Sequence, residues 1–315
     1  MVTLQHLIKQ KADLEATDET GANPLHIAAQ QNKTSMICWL LEQKACIEAR
    51  DTDGYSALAW ACYKGHHEVL MLLLDRRADM QELVNANGKS LLSIASELGH
   101  ITCVQEMLHR GAILEQRNAD GSTPLMGAAH HGEAETVAYL LNQCSPVDST
   151  DTEGWTALVY CMNAPLPMTV GAGGEQSEKR VRVDGIMGAR STTELLLLHK
   201  ADPTAQTAEG LSALVVASSR DRPRAVRQLL ECRADVNMTS LRGQSALLMA
   251  AAHNLPEVVK NLLVARAEVN HTNLKKESAL SIAERHGYKD ISDQLKKAGA
   301  TGPKAGRKKS PKKKK

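Results

Sequence analysis

Residues 118–150, NADGSTPLMGAAHHGEAETVAYLLNQCSPVDST, decide the fold. Ala119-Asp120-Gly121 is a turn signal, and a short apolar helix pattern follows in Pro124, Leu125, Ala128 and Ala129. Gly132 breaks it, and a second apolar pattern runs through Val137, Ala138, Leu140 and Leu141. Two helices this short cannot bury their apolar faces alone. Stacked against copies of themselves, they can.

The copies are present. The turn glycine recurs at Gly21, Gly54, Gly88, Gly121, Gly154, Gly210 and Gly243, with Lys276 in the equivalent place of the last copy. The intervals are 33, 34, 33, 33, 56, 33 and 33, so one interval carries 23 extra residues. Around these anchors the text repeats, as in ETGANPLHIAAQQN, DTDGYSALAWACYKGH, DTEGWTALVYCMN and SLRGQSALLMAAAHN. The second halves repeat as well, as in WLLEQKACIEA, LLLDRRADM, QLLECRADVN and NLLVARAEVN. Glycine permits the positive φ of the turn, and Ser or Thr before Pro/Ala-Leu can cap the first helix. Small pairs such as Ala28-Ala29, Ala128-Ala129 and Ala250-Ala251 let helices approach closely. The leucine pairs Leu40-Leu41, Leu140-Leu141, Leu229-Leu230 and Leu262-Leu263 are expected to fill the layer between copies.

This pattern resembles the ankyrin repeat family, whose motif is T-P-L-H-x-A-A…G-H…L-L-x-x-G-A-D-V-N at a period of 33. The resemblance covers nearly all of residues 2–301 in eight registered copies. It implies an all-α solenoid of stacked helix-turn-helix units with short β-hairpin turns. T-P-L-H is nearly intact only as Asn23-Pro24-Leu25-His26, and Pro often becomes Ala. Residues 2–16 match only the second half of a repeat, either a half-cap or the product of a late start, and repeats run from about 17. Residues 272–301 carry outward Lys, Asp and Gln, as a solvent-facing cap requires.

The insertion, about 164–190, falls between the two helices of the fifth copy, and its Pro, Gly and mixed charge read as a mobile loop. Gly171-Ala172-Gly173-Gly174 has no following Gly-Lys-Ser/Thr and no preceding strand, which argues against a phosphate loop. A tolerated insertion and a partner-contacting or regulatory loop both remain open.

Composition agrees with a foldable chain: 315 residues, 43% hydrophobic and 23% charged, with 3% aromatics and no Phe. No apolar run approaches the roughly 20 residues that span a bilayer, and the N-terminus lacks the apolar stretch of a secretory signal. The seven cysteines are scattered and never form C-x-x-C, so they read as small buried hydrophobes in a reducing compartment. The adjacent pairs His66-His67 and His130-His131 point apart on a helix, so no metal site is expected. No catalytic constellation and no cofactor motif emerges.

The resemblance places function on one concave surface, built from the turn tips and the exposed side of each first helix. Counted from the turn glycine, these are the two residues before it, the one after it, and the ninth and tenth after it. In this sequence they include Glu19, Gln30, Gln31, Thr52, Asp53, Tyr55, Tyr63, Lys64, Asn87 and Lys89. Further along come Asp120, His130, His131, Glu153, Trp155, Glu209, Arg220, Arg242, His253 and Asn254. Tyr55, Tyr63 and Trp155 are candidate binding anchors, unless each ring lies flat on its neighbouring repeat. Trp39 and Trp60 fall at packing positions and are expected in the core. Asp53, Asp120 and Glu153 suggest a basic or mixed partner, whereas Arg220 and Arg242 suggest an acidic stretch further along.

The net charge of +2 conceals a split. Residues 302–315, GPKAGRKKSPKKKK, hold eight Lys/Arg and no acid, which leaves 30 basic against 36 acidic residues in a body near −6. Arg307, Lys308, Lys309, Lys312, Lys313, Lys314 and Lys315 form a disordered polybasic tail. It fits a solubilising terminus, a nuclear import signal, or contact with nucleic acid or an anionic surface. Ser310-Pro311-Lys312-Lys313 resembles the sites of proline-directed kinases, and a phosphate there would offset up to two charges. Asn237 and Asn270, each closing A-[DE]-V-N, resemble asparagines hydroxylated in other ankyrin proteins. The alternative is a turn asparagine bonded to its own hairpin. The expectation is therefore a monomeric, non-catalytic scaffold or adaptor that binds a partner protein, in the cytoplasm. A nucleus-directed regulator using its tail is the first alternative, and an enzyme using the 164–190 loop the second.

Overall fold

The computed structural model describes residues 13–84, 88–164 and 191–301. The tail with its seven basic candidates and Ser310, Asn87, nearly all of the insertion, and residues 2–12 of the half-repeat lie outside them. The chain divides into two compact units, Met1–Ala201 and Asp202–Lys315.

The first unit alternates inner and outer helices. The inner ones are α1 (Pro24–Gln30), α3 (Ala57–Lys64), α5 (Leu91–Glu97), α7 (Pro124–His131) and α9 (Ala157–Asn163). The outer ones are α2 (Thr34–Glu42), α4 (His67–Asp75), α6 (Ile101–His109), α8 (Ala134–Asn142) and α10 (Thr192–Leu198). Each inner helix packs on its own outer partner and on the next inner helix, and the outer helices pack in series behind them. The second unit repeats the scheme. Its inner helices are α11 (Ala213–Ala217), α13 (Ala246–Ala252) and α15 (Ala279–His286), and its outer ones α12 (Pro223–Glu231), α14 (Pro256–Val264) and α16 (Lys289–Lys297).

The inner helices begin where the sequence says they should. Ser56, Ser90, Thr123, Thr156, Ser212, Ser245 and Ser278 stand at N-caps, their hydroxyls accepting from a backbone N–H three residues on. Asn23 does the same for α1. Each such cap is worth about 1 kcal/mol. The alanine pairs are at most 4% exposed. The leucine pairs split: Leu40, Leu140, Leu229 and Leu262 are fully buried, but Leu41, Leu230 and Leu263 are only half-buried. On a helix, adjacent residues sit about 100° apart, so only one of the two can face the next layer squarely.

Hairpin tips join neighbouring repeats. β1 (Leu83–Val84) pairs antiparallel with β2 (Lys89–Ser90), and single bridges join Gln206 to Ser212, Thr239 to Ser245 and Thr272 to Ser278. Within each unit, tips donate a backbone N–H to the tip before them, as Thr52 does to Thr20 O at 3.1 Å, Thr152 to Asp120 O at 3.1 Å, and Leu241 to Glu209 O at 2.9 Å. This closeness explains the recurring glycine. Gly21 has φ +74°, and a Cβ on it would lie 2.7 Å from Thr52 N.

Histidines tie the layers. His26 accepts from Asn23 N through Nδ1 at 3.1 Å and donates through Nε2 to Ala49 O at 2.9 Å. His66 and His100 donate through Nε2 to Gln30 O and Tyr63 O, carbonyls in the last turn of the preceding inner helix. The cysteines divide. Cys62, Cys103 and Cys161 are buried as expected, and burial pushes the Cys103 thiol up to about 11 and Cys62 well above the ordinary range. Cys46, Cys144 and Cys232 are exposed instead, because they lie in the connections around outer-helix ends rather than on packed faces.

Candidate functional site

The solvent-facing side of the first unit's inner helices carries two ring clusters. Tyr55 and Trp60 have centroids 5.2 Å apart, and Tyr63 meets both edge-on, at 6.2 and 5.7 Å. Lys64 Nζ lies 5.3 Å from the centre of Tyr63 and 5.8 Å from that of Trp60, a cation held over π faces. Tyr63 is 41% exposed, while Tyr55 and Trp60 are half-buried. The second cluster lies 100 positions later. Trp155 and Tyr160 are 5.3 Å apart, and His130 meets Tyr160 edge-on at 5.9 Å.

An aspartate anchors each cluster. Asp51 accepts from Tyr55 N through Oδ1 at 2.8 Å and from Trp60 Nε1 through Oδ2 at 2.8 Å. Asp151 accepts from Trp155 N through Oδ1 at 2.8 Å and from the Tyr160 hydroxyl through Oδ2 at 2.7 Å. Burial, then the bond to Asp151 and the charges of Asp151, Asp120 and Glu153, raise the Tyr160 phenol far above its ordinary value. The carboxylates of Asp120, Asp151 and Glu153 all act on that ring.

Trp60 corrects the expectation that it belongs to the core. It lies half-exposed in the middle of the first cluster, and Trp39, on α2, is likewise half-buried. The cause is helical spacing: Trp60, Tyr63 and Lys64 stand at i, i+3 and i+4, one stripe of a helix. Tyr160 occupies the same position in its own repeat, the sixth after the turn glycine, and was absent from the expected set. The signal was legible for Trp60 in its spacing to Tyr63 and Lys64, and for Tyr160 in its register with Trp60.

The remaining candidates divide by what they touch. Thr52 is engaged structurally, its N–H and hydroxyl both donating to Thr20 O. Asp120 Oδ1 accepts from Ser122, so that carboxylate shapes its own tip as well as charging it. Asp53, Glu153 and His131 are exposed, and His131 Nδ1 lies 3.1 Å from Gly127 O. Between the clusters, Lys89 Nζ and Glu97 pair at 2.5 Å, and Glu97 lies across Gly127. In the second unit Arg220 is exposed, and Arg242 sits 3.8 Å from Glu209 of the preceding tip. Two apolar tips there were also missed, Leu241 and Leu274, at 74% and 76% exposed.

The side-chain oxygens of Asn237 and Asn270 bond the next repeat rather than their own hairpins. Asn237 Oδ1 accepts from Glu268 N and Asn270 Oδ1 from Thr301 N, each at 2.8 Å and 31 residues on. Glu15 and Glu48 do the same toward Cys46 N and Asp79 N. The position is thus a cross-link between repeats, with Glu or Asn as the acceptor.

Among the described residues, no cluster of three His, Cys, Asp or Glu could hold a metal ion, and no helix is long and apolar enough to cross a membrane. No curated protein matches the chain. A family model for ankyrin repeats, three copies long, matches residues 2–84, 47–118, 91–166 and 186–273. Such repeats typically mediate protein–protein interaction and are generally non-catalytic. The helix pairs, the capped inner helices and these matches, which span most of the sequence, agree: the chain belongs to the ankyrin repeat family.

Proposed function

We propose that this protein is a non-catalytic scaffold that binds a partner protein across the inner-helix face of its first unit. The observation that carries the reading is the pair of ring clusters, Tyr55–Trp60–Tyr63 and Trp155–Tyr160–His130, built at equivalent positions on the solvent side of a packed stack. Aromatic rings held by neighbouring rings and a fixed aspartate lose little freedom on binding, so their contact area converts efficiently into affinity. Tyr55, Tyr63, Lys64, Trp155, His130 and His131 are the contact residues, with Asp53, Asp120 and Glu153 at the rim.

The test is affinity capture from native lysate with the wild type beside a Tyr55→Ala/Trp155→Ala variant whose circular dichroism is unchanged. Prey retained by the wild type and lost by the variant supports the reading. Prey held equally by both removes it. A second reading, a nucleus-directed regulator, is favoured by the eight basic and no acidic residues of 302–315. Deleting 302–315 separates the two. Unchanged cellular location would end the nuclear version, and prey lost only on that deletion would move binding to the tail.

A further inference from the structure

The first cluster shows within one molecule what such rings hold: the Lys64 ammonium lies over Trp60 and Tyr63, beside rings oriented by Asp51. The second cluster repeats part of that scaffold, with Asn163 at the position of Tyr63. Asp151 binds Trp155 N and the Tyr160 hydroxyl as Asp51 binds Tyr55 N and the Trp60 indole. Lys64 lies over the Trp60–Tyr63 pair, whose planes meet at 82°, and in the second cluster His130, from the preceding repeat, meets Tyr160 at the same 82°. No lysine stands in the fifth repeat where Lys64 stands in the second: the equivalent residue is Ala164. The acids around the second cluster are Asp120, Asp151 and Glu153. Among the described residues, Arg117 is a nearby cation and is engaged, donating from Nη1 to Gly121 O at 2.8 Å and Thr150 O at 2.7 Å.

We propose that the Trp155–Tyr160–His130 cluster receives a cationic side chain, arginine or lysine, from an extended basic segment of the partner protein. The proposal rests on the scaffold reading above and adds the partner's chemistry. Ring faces and carboxylates both attract a cation, and a partly desolvated cation–π contact strengthens with each ring that flanks it. The body's charge near −6 favours a basic partner over a greater range, through attraction during encounter. Inner helices spaced at about 10 Å put three repeats between the clusters at roughly 30 Å, the span of about nine extended residues. A segment long enough to reach both clusters would therefore meet an aromatic–cation site at each end.

The experiment is selection of a random twelve-residue phage-display library on the full-length protein, followed by titration of the enriched peptides as synthetic probes. Titrations use wild type, Trp155→Leu/Tyr160→Leu, which keeps apolar area and removes the π faces, and Glu153→Lys, which changes only an exposed charge. Urea midpoints establish that each variant folds. The expected result is enrichment of peptides bearing Arg or Lys whose affinity falls at least tenfold on the double leucine variant. Glu153→Lys weakens them severalfold, and replacing the peptide's Arg by citrulline abolishes the difference between wild type and the leucine variant. Peptides without a basic residue that nonetheless lose affinity on the leucine variant would overturn the cation proposal and leave the scaffold reading standing. Basic peptides bound equally by both proteins would overturn both. Failure to enrich any sequence overturns the cation proposal as well.

Discussion

Glu82 is the most informative single perturbation of the fold. Its side chain is 1% exposed, accepts from the Ser56 hydroxyl, and meets Arg50 Nη2 at 2.9 Å. Burial raises its carboxyl from 4.5 to about 7, against the opposing pull of Ser56 and Arg50. Between those two pH values the folded chain holds one proton more than the unfolded chain. Stability therefore falls as pH rises from about 4.5 to 7, and the loss is complete above 7. At about 1.4 kcal/mol per pKa unit, the ionised carboxylate costs the fold on the order of 3 kcal/mol at pH 8. Glu82→Gln removes the ionisation and keeps the shape: its carbonyl can accept from Arg50 while its amide donates to Ser56. Arg50, itself 44% exposed, keeps its bonds to Gly54 O and Leu83 O.

The assay is urea unfolding of both proteins at pH 5, 6, 7 and 8, followed by tryptophan fluorescence. Trp39, Trp60 and Trp155 all lie in the same unit as Glu82. The two proteins should be nearly equal at pH 5, with the variant pulling ahead by about 3 kcal/mol at pH 8. A difference that does not change with pH, or a variant less stable at pH 8, would refute the reasoning.

The other predictions concern positions where the backbone sets the outcome. Gly21→Ala should cost at least 1 kcal/mol more than Gly132→Ala. Both have φ near +75°, but only the first Cβ meets backbone, at Thr52 N, and nothing lies within 4 Å of the second; equal urea midpoints would contradict this. Arg77→Gly should stabilise by about 0.5–1 kcal/mol, since Arg77 holds φ +67° at the end of an outer helix, where another repeat has Gly111 at φ +90°. A lowered midpoint would show that the Arg77 side chain contributes more than its strain. Asn237→Ala should cost about 1 kcal/mol and speed hydrogen exchange at the Glu268 amide, which it leaves without its 2.8 Å acceptor; unchanged exchange there would rule out the cross-link.

The fold was legible because its strongest constraints are local. A turn that needs positive φ at Gly21 or Gly121, and a Ser or Thr whose hydroxyl caps the helix that follows it, leave the same mark in nearly every copy. Positions that store strain instead of avoiding it leave no mark. Lys44, Arg77, Cys144, Lys200, Arg233 and Arg266 all adopt the left-handed conformation that Gly111 and Gly299 adopt, and nothing in their side chains announces it. Glu82 was hidden for a related reason. The interval from Gly54 to Gly88 is one residue longer than its neighbours, so Gln81 takes the position of Glu48 and the next residue turns inward. The ring clusters were half legible. Tyr55, Tyr63 and Trp155 stood out by position, while Trp60 needed its relation to Tyr63 and Lys64, three and four places on, and Tyr160 its register with Trp60.

The central claim is that the partner lies on the inner-helix face, and site-specific photo-crosslinking tests it most directly. A benzophenone amino acid replaces Tyr63 on that face in one protein and Gln105, exposed on the outer helix α6, in another. The account predicts a crosslinked partner from position 63, competed away by unlabelled wild type and not by Tyr55→Ala/Trp155→Ala, and none from position 105. Crosslinking from position 105 alone, or equally from both, would contradict it.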